Sequence, residues 1–284
     1  MLIDEYRRSL KMPEAEEVFD LLLYRPVAFL FVKAVYRSPI TPNQVTFLSM
    51  VAGLVAAWFF STGSAAVLSW AALFYAVANM LDCSDGQLAR LQKSGTLMGR
   101  VVDGMADYVS SVAIFLSLGI GFARNTDPQW LLVIGAGLSS ALHAFFFDHY
   151  QGEFISTVRS QKNFLEKEIE QFTREIHRLE NEKVGTLKII ILRIYLRYLF
   201  YQKQANTKDE RQSFDPENYR KENRIMIRLW SFLGPTTNRT LLIACALIGR
   251  IDLFLWSVFI FGNSWLLVCY LLQRNIHRRL QLAG

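Results

Sequence analysis

The chain has 284 residues, of which 52% are hydrophobic and 20% are charged, and its formal net charge is +6 at pH 7. Several uncharged runs are long enough to cross a hydrocarbon layer about 30 Å thick, which excludes an ordinary soluble domain. The basic residues flank these apolar runs, so they indicate a protein beside anionic lipid and phosphate compounds and argue against nucleic acid as a partner.

The N-terminal segment, residues 1–40, is predicted to lie on the cytoplasmic face of a membrane as an amphipathic segment. Residues 1–12 are charged and are expected to be loose, and they lack the apolar core of a cleaved signal peptide. Pro13, followed by acidic residues, predicts the start of a helix. Pro26 should break or kink that helix, because proline has no backbone N–H.

Six transmembrane helices are predicted along the rest of the chain. The uncharged run over residues 44–81 is too long for one span, so the polar residues 61–64 are expected to form a turn within it. The start of the fifth span is interrupted by Gly234, Pro235 and Arg239. The predicted spans are residues 44–61, 65–84, 99–122, 130–147, 231 or 236 to 249, and 253–273, which places four in the segment 41–147 and two in the segment 229–284 with its basic tail.

Residues 148–228 differ from the spans, because they are dense in charges of both signs. Residues 166–183 predict a solvated helix that ends at Gly185. Residues 186–205 predict an apolar helix with a basic stripe, which would lie on the membrane or pack against the spans. Residues 206–224 predict a loop and a short helix. The fold class is therefore an all-α integral membrane protein with a helical cytoplasmic insertion between spans four and five.

Four aspartates stand where the second and third predicted spans approach each other. Asp82 and Asp85 are three residues apart, and Asp103 and Asp107 are four apart, so each pair shares one helical face. Charged groups at the end of a membrane helix are costly unless they are paired, ligated or hydrated. Four converging carboxylates are best satisfied by one or two hard divalent ions, Mg²⁺ or Mn²⁺.

Small residues and one arginine accompany the aspartates. Gly86 and Ala89 continue the first acidic face, and Gly99 lies one turn before Asp103, so a ligand or a backbone can approach closely. Arg90 could hold a phosphate oxygen. Together with metal ions, this set of residues indicates a pyrophosphate substrate and metal-assisted transfer of a phosphoryl-type group.

The complete pattern, D-x2-D-G-x2-A-R-x8-G-x3-D-x3-D, resembles the signature of the CDP-alcohol phosphotransferases, which are membrane enzymes of phospholipid synthesis. The resemblance covers residues 38–124 and implies a homodimer that binds a CDP-linked lipid donor with two metal ions and releases CMP. It implies that Asp82, Asp85, Asp103 and Asp107 bind metal and that Asp107 is also the general base. The implied nucleotide-binding residues are Asp82, Gly86, Ala89, Arg90 and Gly99.

The acceptor alcohol is a separate question. The motif departs from the D-P-x-A-D-K form associated with glycerol phosphate acceptors, since Tyr108 stands in place of lysine, and it lacks the D-H-x-x-D form of aminoalcohol enzymes. We predict CDP-diacylglycerol as the donor and a polyol or inositol phosphate as the acceptor, bound by Lys93, Arg100 and Arg239. Glycerol phosphate, serine, and an aminoalcohol transferred from CDP-aminoalcohol to diacylglycerol remain alternatives.

Basic residues also predict the orientation, because they concentrate on the side of the aspartates. The opposite side has only Arg124 and Arg250 in its short loops. The aspartates and both termini are therefore expected on the cytoplasmic side of the inner membrane. Two functions of other classes stay open, a divalent-cation transporter and a membrane scaffold that binds partners through its insertion.

Overall fold

The structure is a computed structural model of the chain, and it describes residues 2–125, 127–159, 164–182, 185–206 and 215–283. Within these ranges the protein is helical and has no strands, which confirms the predicted fold class. The helices are α1 (Leu2–Ser9), α2 (Arg25–Val35), α3 (Pro42–Ser61), α4 (Leu68–Gln92), α5 (Leu97–Asn125), α6 (Trp130–Val158), α7 (Phe164–Asn181), α8 (Thr186–Asn206), α9 (Pro216–Trp230), α10 (Pro235–Leu247), α11 (Ile251–Trp256) and α12 (Asn263–Ala283).

Five helical segments among the described residues are long and apolar enough to cross a membrane. The predicted fifth span differs, because it forms only α10, which has 13 residues. At a rise of 1.5 Å per residue this helix is about 20 Å long, shorter than the hydrocarbon layer. The five segments are Pro42–Ser61, Ala65–Gln92, Leu97–Asn125, Trp130–Val158 and Ile251–Leu280.

Although it is short, α10 lies in the interior of the bundle. Its Leu242 and Cys245 belong to a buried apolar cluster that also contains Phe60 of α3, Leu118 of α5 and Phe254 of α11. A second buried cluster joins three other helices through Phe154 of α6, Tyr219 and Trp230 of α9, and Cys269 of α12. The first cluster also contains residues of α4 and α5, so it packs α10 against the two helices that carry the aspartates.

The first transmembrane helix, α3, begins with a capping box. Thr41 Oγ1 accepts a hydrogen bond from Gln44 N at 3.4 Å, and Gln44 Oε1 accepts one from Thr41 N at 2.9 Å. Pro42 occupies the first turn, where its missing N–H costs nothing. Thr41 and Pro42 therefore serve to start the helix at the membrane surface.

The N-terminal segment differs from its prediction in three places. Residues 2–9 form α1 rather than a loose tail, and the predicted helix start at Pro13 is a turn. The helix begins at residue 18 and widens into a π-helical turn, Asp20–Tyr24, just before α2. This wider turn accommodates Pro26, which cannot donate a backbone hydrogen bond.

The insertion between the spans is helical, as predicted. Helix α6 continues to Val158, beyond the predicted end of its span at residue 147, and Gly185 separates α7 from α8 with a φ of +73°. The α7–α8 pair packs against the start of α5 at Val101. Residues 207–214, within the predicted loop, lie outside the described residues. Helix α8 carries three exposed basic residues, Lys188, Arg193 and Arg197.

Candidate active site

Three of the four predicted aspartates form one group between α4 and α5. The carboxylates of Asp82, Asp85 and Asp103 each place an oxygen within 4.8 Å of the others. Helical spacing explains the first pair, and the short connection of residues 93–96 brings the start of α5 beside the end of α4. Carboxylate oxygens are the ligands that Mg²⁺ and Mn²⁺ prefer, so this donor set fits a divalent ion.

Asp85 is held in place by a hydroxyl that sequence analysis missed. Thr46 Oγ1 lies 2.5 Å from Asp85 Oδ2 and 3.1 Å from Pro42 O, and its side chain is buried. Thr46 is one helical turn after Pro42, so the start of α3 fixes its position. Outer partners of this kind orient a carboxylate for metal binding. The only signal in the sequence was a threonine one turn into the helix that precedes the motif.

The fourth aspartate, Asp107, lies against a guanidinium group rather than inside the three-carboxylate group. Arg239 Nη2 donates to Asp107 Oδ1 at 2.6 Å, and Nη1 donates to Asp82 Oδ2 at 2.7 Å. Nη1 also donates to Asn79 Oδ1 at 2.9 Å. Arg239 is buried at 9% exposure, so α10 supplies a desolvated positive charge to the aspartates of α4 and α5. Asn79 is a further residue that sequence analysis missed.

Among the residues predicted to bind the nucleotide, Arg90 lies beside Gly86 and also contacts the backbone of the N-terminal segment. Arg90 Nε donates a hydrogen bond to Ser9 O of the N-terminal segment. The Arg90 guanidinium lies over Gly86, where a Cβ would be 3.3 Å from Nη1 and from Nη2. At Gly99, a Cβ would lie 3.1 Å from Asn43 Oδ1 of α3. Side-chain atoms thus lie close to both glycines, and Ala89 is half-buried.

The three basic residues predicted for the acceptor are not brought together. Arg239 is bound to the aspartates, as described above. Arg100 Nη1 pairs with Glu168 Oε1 of α7 at 2.5 Å, and its guanidinium carbon lies 5.8 Å from the Phe172 ring centroid. Lys93 is exposed at the end of α4, where its φ of 52° ends the helix in a left-handed turn.

A buried polar network surrounds the other side of α4. Arg25 Nη2 pairs with Glu16 Oε2 at 2.8 Å, and Arg25 Nη1 donates to Cys83 O at 3.2 Å. Asp20 Oδ1 accepts from Cys83 Sγ at 3.3 Å, and burial raises the pKa of the Asp20 carboxyl. Because Cys83 lies between Asp82 and Asp85, these contacts attach the N-terminal segment directly to the acidic motif.

The sequence profile of the CDP-alcohol phosphatidyltransferase family matches residues 39–166, which contain the complete acidic motif. Three relatives agree with this match. A bifunctional IPC transferase and DIPP synthase of Thermococcus kodakarensis is 31% identical over 117 residues, which are 40% of this chain and 26% of the relative. A phosphatidylinositol phosphate synthase of Corynebacterium glutamicum is 36% identical over 115 residues, which are 39% of this chain and 48% of the relative.

The third relative is a CDP-diacylglycerol–inositol 3-phosphatidyltransferase of Candida albicans, 26% identical over 99 residues, which are 35% of this chain and 41% of the relative. The match therefore spans between a quarter and about half of the length of these relatives. Residues 39–166 therefore resemble the CDP-alcohol phosphatidyltransferase family, in agreement with the resemblance that the aspartate motif indicated.

Proposed function

We propose that the protein transfers a phosphatidyl group from CDP-diacylglycerol to a hydroxyl of an inositol-type acceptor, such as inositol phosphate, and releases CMP. The observation that carries this proposal is the three-carboxylate group of Asp82, Asp85 and Asp103, with Asp107 held beside it by Arg239. The names of two relatives, a phosphatidylinositol phosphate synthase and a CDP-diacylglycerol–inositol 3-phosphatidyltransferase, support the same donor and acceptor class.

We assign the three-carboxylate group to a divalent metal ion, Mg²⁺ or Mn²⁺. When bound, the ion would offset negative charge on the pyrophosphate oxygens of the donor. The described residues provide one compact ligand set, whereas a second ion would have to share Asp107 with the Arg239 guanidinium. Asp82 lies between the two positions, because it belongs to the ligand set and also pairs with Arg239.

Asp107 is the residue that we assign as the general base. Its side chain is 42% exposed, whereas that of Asp82 is 22% exposed, so an acceptor hydroxyl can reach it. The acceptor oxygen gives its proton to Asp107 and forms a bond to the lipid-side phosphorus. The bond from that phosphorus to the bridging oxygen breaks, and the electron pair leaves with CMP. Arg239 fixes the direction of the Asp107 carboxylate throughout.

The remaining motif residues would bind the two substrates. Gly86, Ala89 and Gly99 leave space for the nucleotide beside Asp82. Arg90 would exchange the carbonyl oxygen of Ser9 for a phosphate oxygen, which is a stronger, charge-assisted acceptor. For an acceptor that carries its own phosphate, Lys93 and Arg100 supply positive charge at the same end of the bundle, although Arg100 must then leave Glu168.

We further propose that the protein is a homodimer in the inner membrane, with the aspartates and both termini in the cytoplasm. The concentration of basic residues on the aspartate side supports this orientation. Crosslinking in the membrane and mass measurement in nanodiscs test the assembly, and a monomer in both measurements contradicts it.

The experiment that tests the function is CMP release from CDP-diacylglycerol in detergent with Mg²⁺ or Mn²⁺, screened over candidate acceptors. We expect release with inositol phosphate or inositol, and little with glycerol phosphate, serine or aminoalcohols. CMP release with glycerol phosphate or serine, and none with inositol or inositol phosphate, contradicts the proposed acceptor class. No release with any acceptor, together with Mn²⁺ flux into proteoliposomes, favours a transporter instead.

A further inference from the structure

A buried carboxylate of the N-terminal segment caps α10, although the two are more than two hundred residues apart. Glu17 accepts hydrogen bonds from Thr236 N at 3.2 Å, Thr237 N at 3.0 Å and Thr237 Oγ1 at 3.3 Å. The first amides of a helix have no partner within the helix, and the side-chain oxygens of Glu17 supply partners for two of them. The N-cap residue, Gly234, has no side chain to do this itself.

The fit of Glu17 against α10 is tight. A Cβ on Gly234 would lie 2.6 Å from Glu17 Oε1, so only glycine leaves room for the carboxylate. Glu17 is held there by its neighbour, because Glu16 O accepts from Arg228 Nη1 at 2.9 Å and Glu16 Oε2 pairs with Arg25. The carboxylate is 4% exposed and thus has exchanged water for these donors.

Arg239 lies one helical turn after Thr236 on the same helix. The direction in which α10 begins therefore decides where the Arg239 guanidinium meets Asp82 and Asp107. A shift of about 1 Å in a supporting residue is enough to lower the rate of an enzyme substantially. Glu17 lies outside residues 39–166, which the family profile matches, so the family motif does not account for it.

We propose that Glu17 is a positioning residue that, by capping α10, sets the contacts of Arg239 with Asp82 and Asp107. This inference rests on the proposed function only in that it assigns Asp82 and Asp107 to the transfer reaction. With this role, the N-terminal segment helps to position active-site residues in addition to lying at the membrane surface.

The first variant is Glu17→Leu, which has a similar size and removes both acceptor oxygens. We expect kcat to fall about tenfold, the equivalent of about one hydrogen bond, with KM for CDP-diacylglycerol within about twofold. Glu17→Gln keeps one acceptor oxygen and should retain more activity. The matched control is Glu14→Gln, because Glu14 pairs with Arg220 at the surface of the same segment, and its kcat should not change.

A second variant disturbs the same contact from the other side. Gly234→Ala places a methyl group against the Glu17 carboxylate, and it should reproduce the loss of kcat if Glu17→Leu does not fold. Both variants should speed hydrogen exchange at the amides of Thr236 and Thr237. Unchanged exchange in both variants overturns the capping role.

A double-mutant cycle with Arg239→Gln tests whether Glu17 acts through Arg239. If it does, Glu17→Leu lowers kcat in the wild-type background and has no further effect in the Arg239→Gln background. The same cycle is measured as the Kd for Mn²⁺ without nucleotide. If Glu17→Leu weakens the contact of Arg239 with Asp82, Asp82 becomes more available to the ion. Glu17→Leu should then tighten Mn²⁺ binding about threefold in the wild-type background and not in the Arg239→Gln background.

Equal effects of Glu17→Leu in both backgrounds overturn the proposal, because they show a general loss of structure or a long-range effect of charge. The absence of any effect overturns it as well. A wild-type protein that releases no CMP with any acceptor contradicts the proposed function, and the Mn²⁺ and exchange measurements then decide on Glu17 independently.

Discussion

Arg239 and Asp107 are 132 residues apart in the chain, and their side chains are joined by a hydrogen-bonded ion pair of 2.6 Å. The same guanidinium reaches Asp82 through its other nitrogen at 2.7 Å. A buried ion pair is stable only when both partners are well satisfied, and loss of one partner leaves an uncompensated charge. Arg239 therefore links the aspartates of α4 and α5 and holds Asp107 beside the group of Asp82, Asp85 and Asp103.

Substitution of Arg239 should lower kcat more than it lowers donor affinity. Arg239→Lys keeps the charge but cannot reach two carboxylates with one planar group, so both Arg239→Lys and Arg239→Gln should lose at least about tenfold in kcat. Steady-state kinetics for CMP release measure this. The control is Arg124→Gln at the opposite end of the bundle, where Arg124 donates to Ser61 O. Full activity of Arg239→Lys contradicts the bridging role.

Asp107→Asn separates proton transfer from metal binding. If Asp107 is the base, kcat should fall by about 10²–10⁴-fold while the affinity for the CDP-linked donor stays nearly unchanged. Calorimetric donor binding beside single-turnover rates, at several Mg²⁺ concentrations, measures both quantities. Full recovery of the rate at high Mg²⁺ would instead make Asp107 a metal ligand.

Thr46 should influence the metal through Asp85. Thr46→Val removes the hydroxyl that lies 2.5 Å from Asp85 Oδ2 and keeps the shape of the side chain. The affinity for Mn²⁺ should weaken by about tenfold, as is usual for residues that orient a ligand. Ser49→Ala is the matched control on α3, because Ser49 Oγ donates to Ala78 O, whereas Thr46 Oγ1 contacts Asp85. Equal Mn²⁺ affinity of Thr46→Val and wild type contradicts this role.

Stability should depend on pH through Glu17. Burial, followed by the charge of Asp20, raises the pKa of Glu17 to about 8, while the charge of Arg239 opposes this shift. The folded protein thus binds a proton that the unfolded chain releases near its ordinary pKa of 4.5. The resulting stability is present at low pH and is lost as pH rises toward 8. Thermal unfolding from pH 5 to 8 should therefore show a falling Tm, with a smaller slope in Glu17→Gln; an unchanged slope refutes the assignment.

The local parts of the site could be predicted from sequence, because helical spacing determines them. Asp82 and Asp85 share a face whatever the rest of the chain does, and the same holds for Asp103 and Asp107. Five of the six predicted spans could be predicted for a similar reason, since a long uncharged run has few alternatives to a membrane helix, whereas the predicted fifth span is only the 13-residue α10. Spacing alone does not reveal the cation beside Asp107, so the sequence predicts a metal ligand there and the contact with Arg239 is found only in the structure.

The contacts that join distant segments could not be predicted. Arg239 meets Asp82 across 157 residues, and no periodicity relates them. The sequence predicts only a poorly defined helix start near Gly234. In the structure, the missing side chain of Gly234 leaves space for the carboxyl group of Glu17. Pro26 was expected to disrupt its helix, but a π-helical turn accommodates it, because the local chain can widen without ending the helix.

We propose that Asp82, Asp85 and Asp103 hold a metal ion that transfer from CDP-diacylglycerol requires. The most direct measurement is CMP formation with inositol phosphate, with and without EDTA, by the wild type and by the three single Asp→Asn variants. Thermal unfolding first shows that each variant is folded. We predict that each substitution abolishes turnover and that EDTA abolishes turnover by the wild type. Added Mg²⁺ or Mn²⁺ should restore turnover in the wild type and in none of the three variants. Full activity in any two of the variants, or activity that survives EDTA, contradicts it.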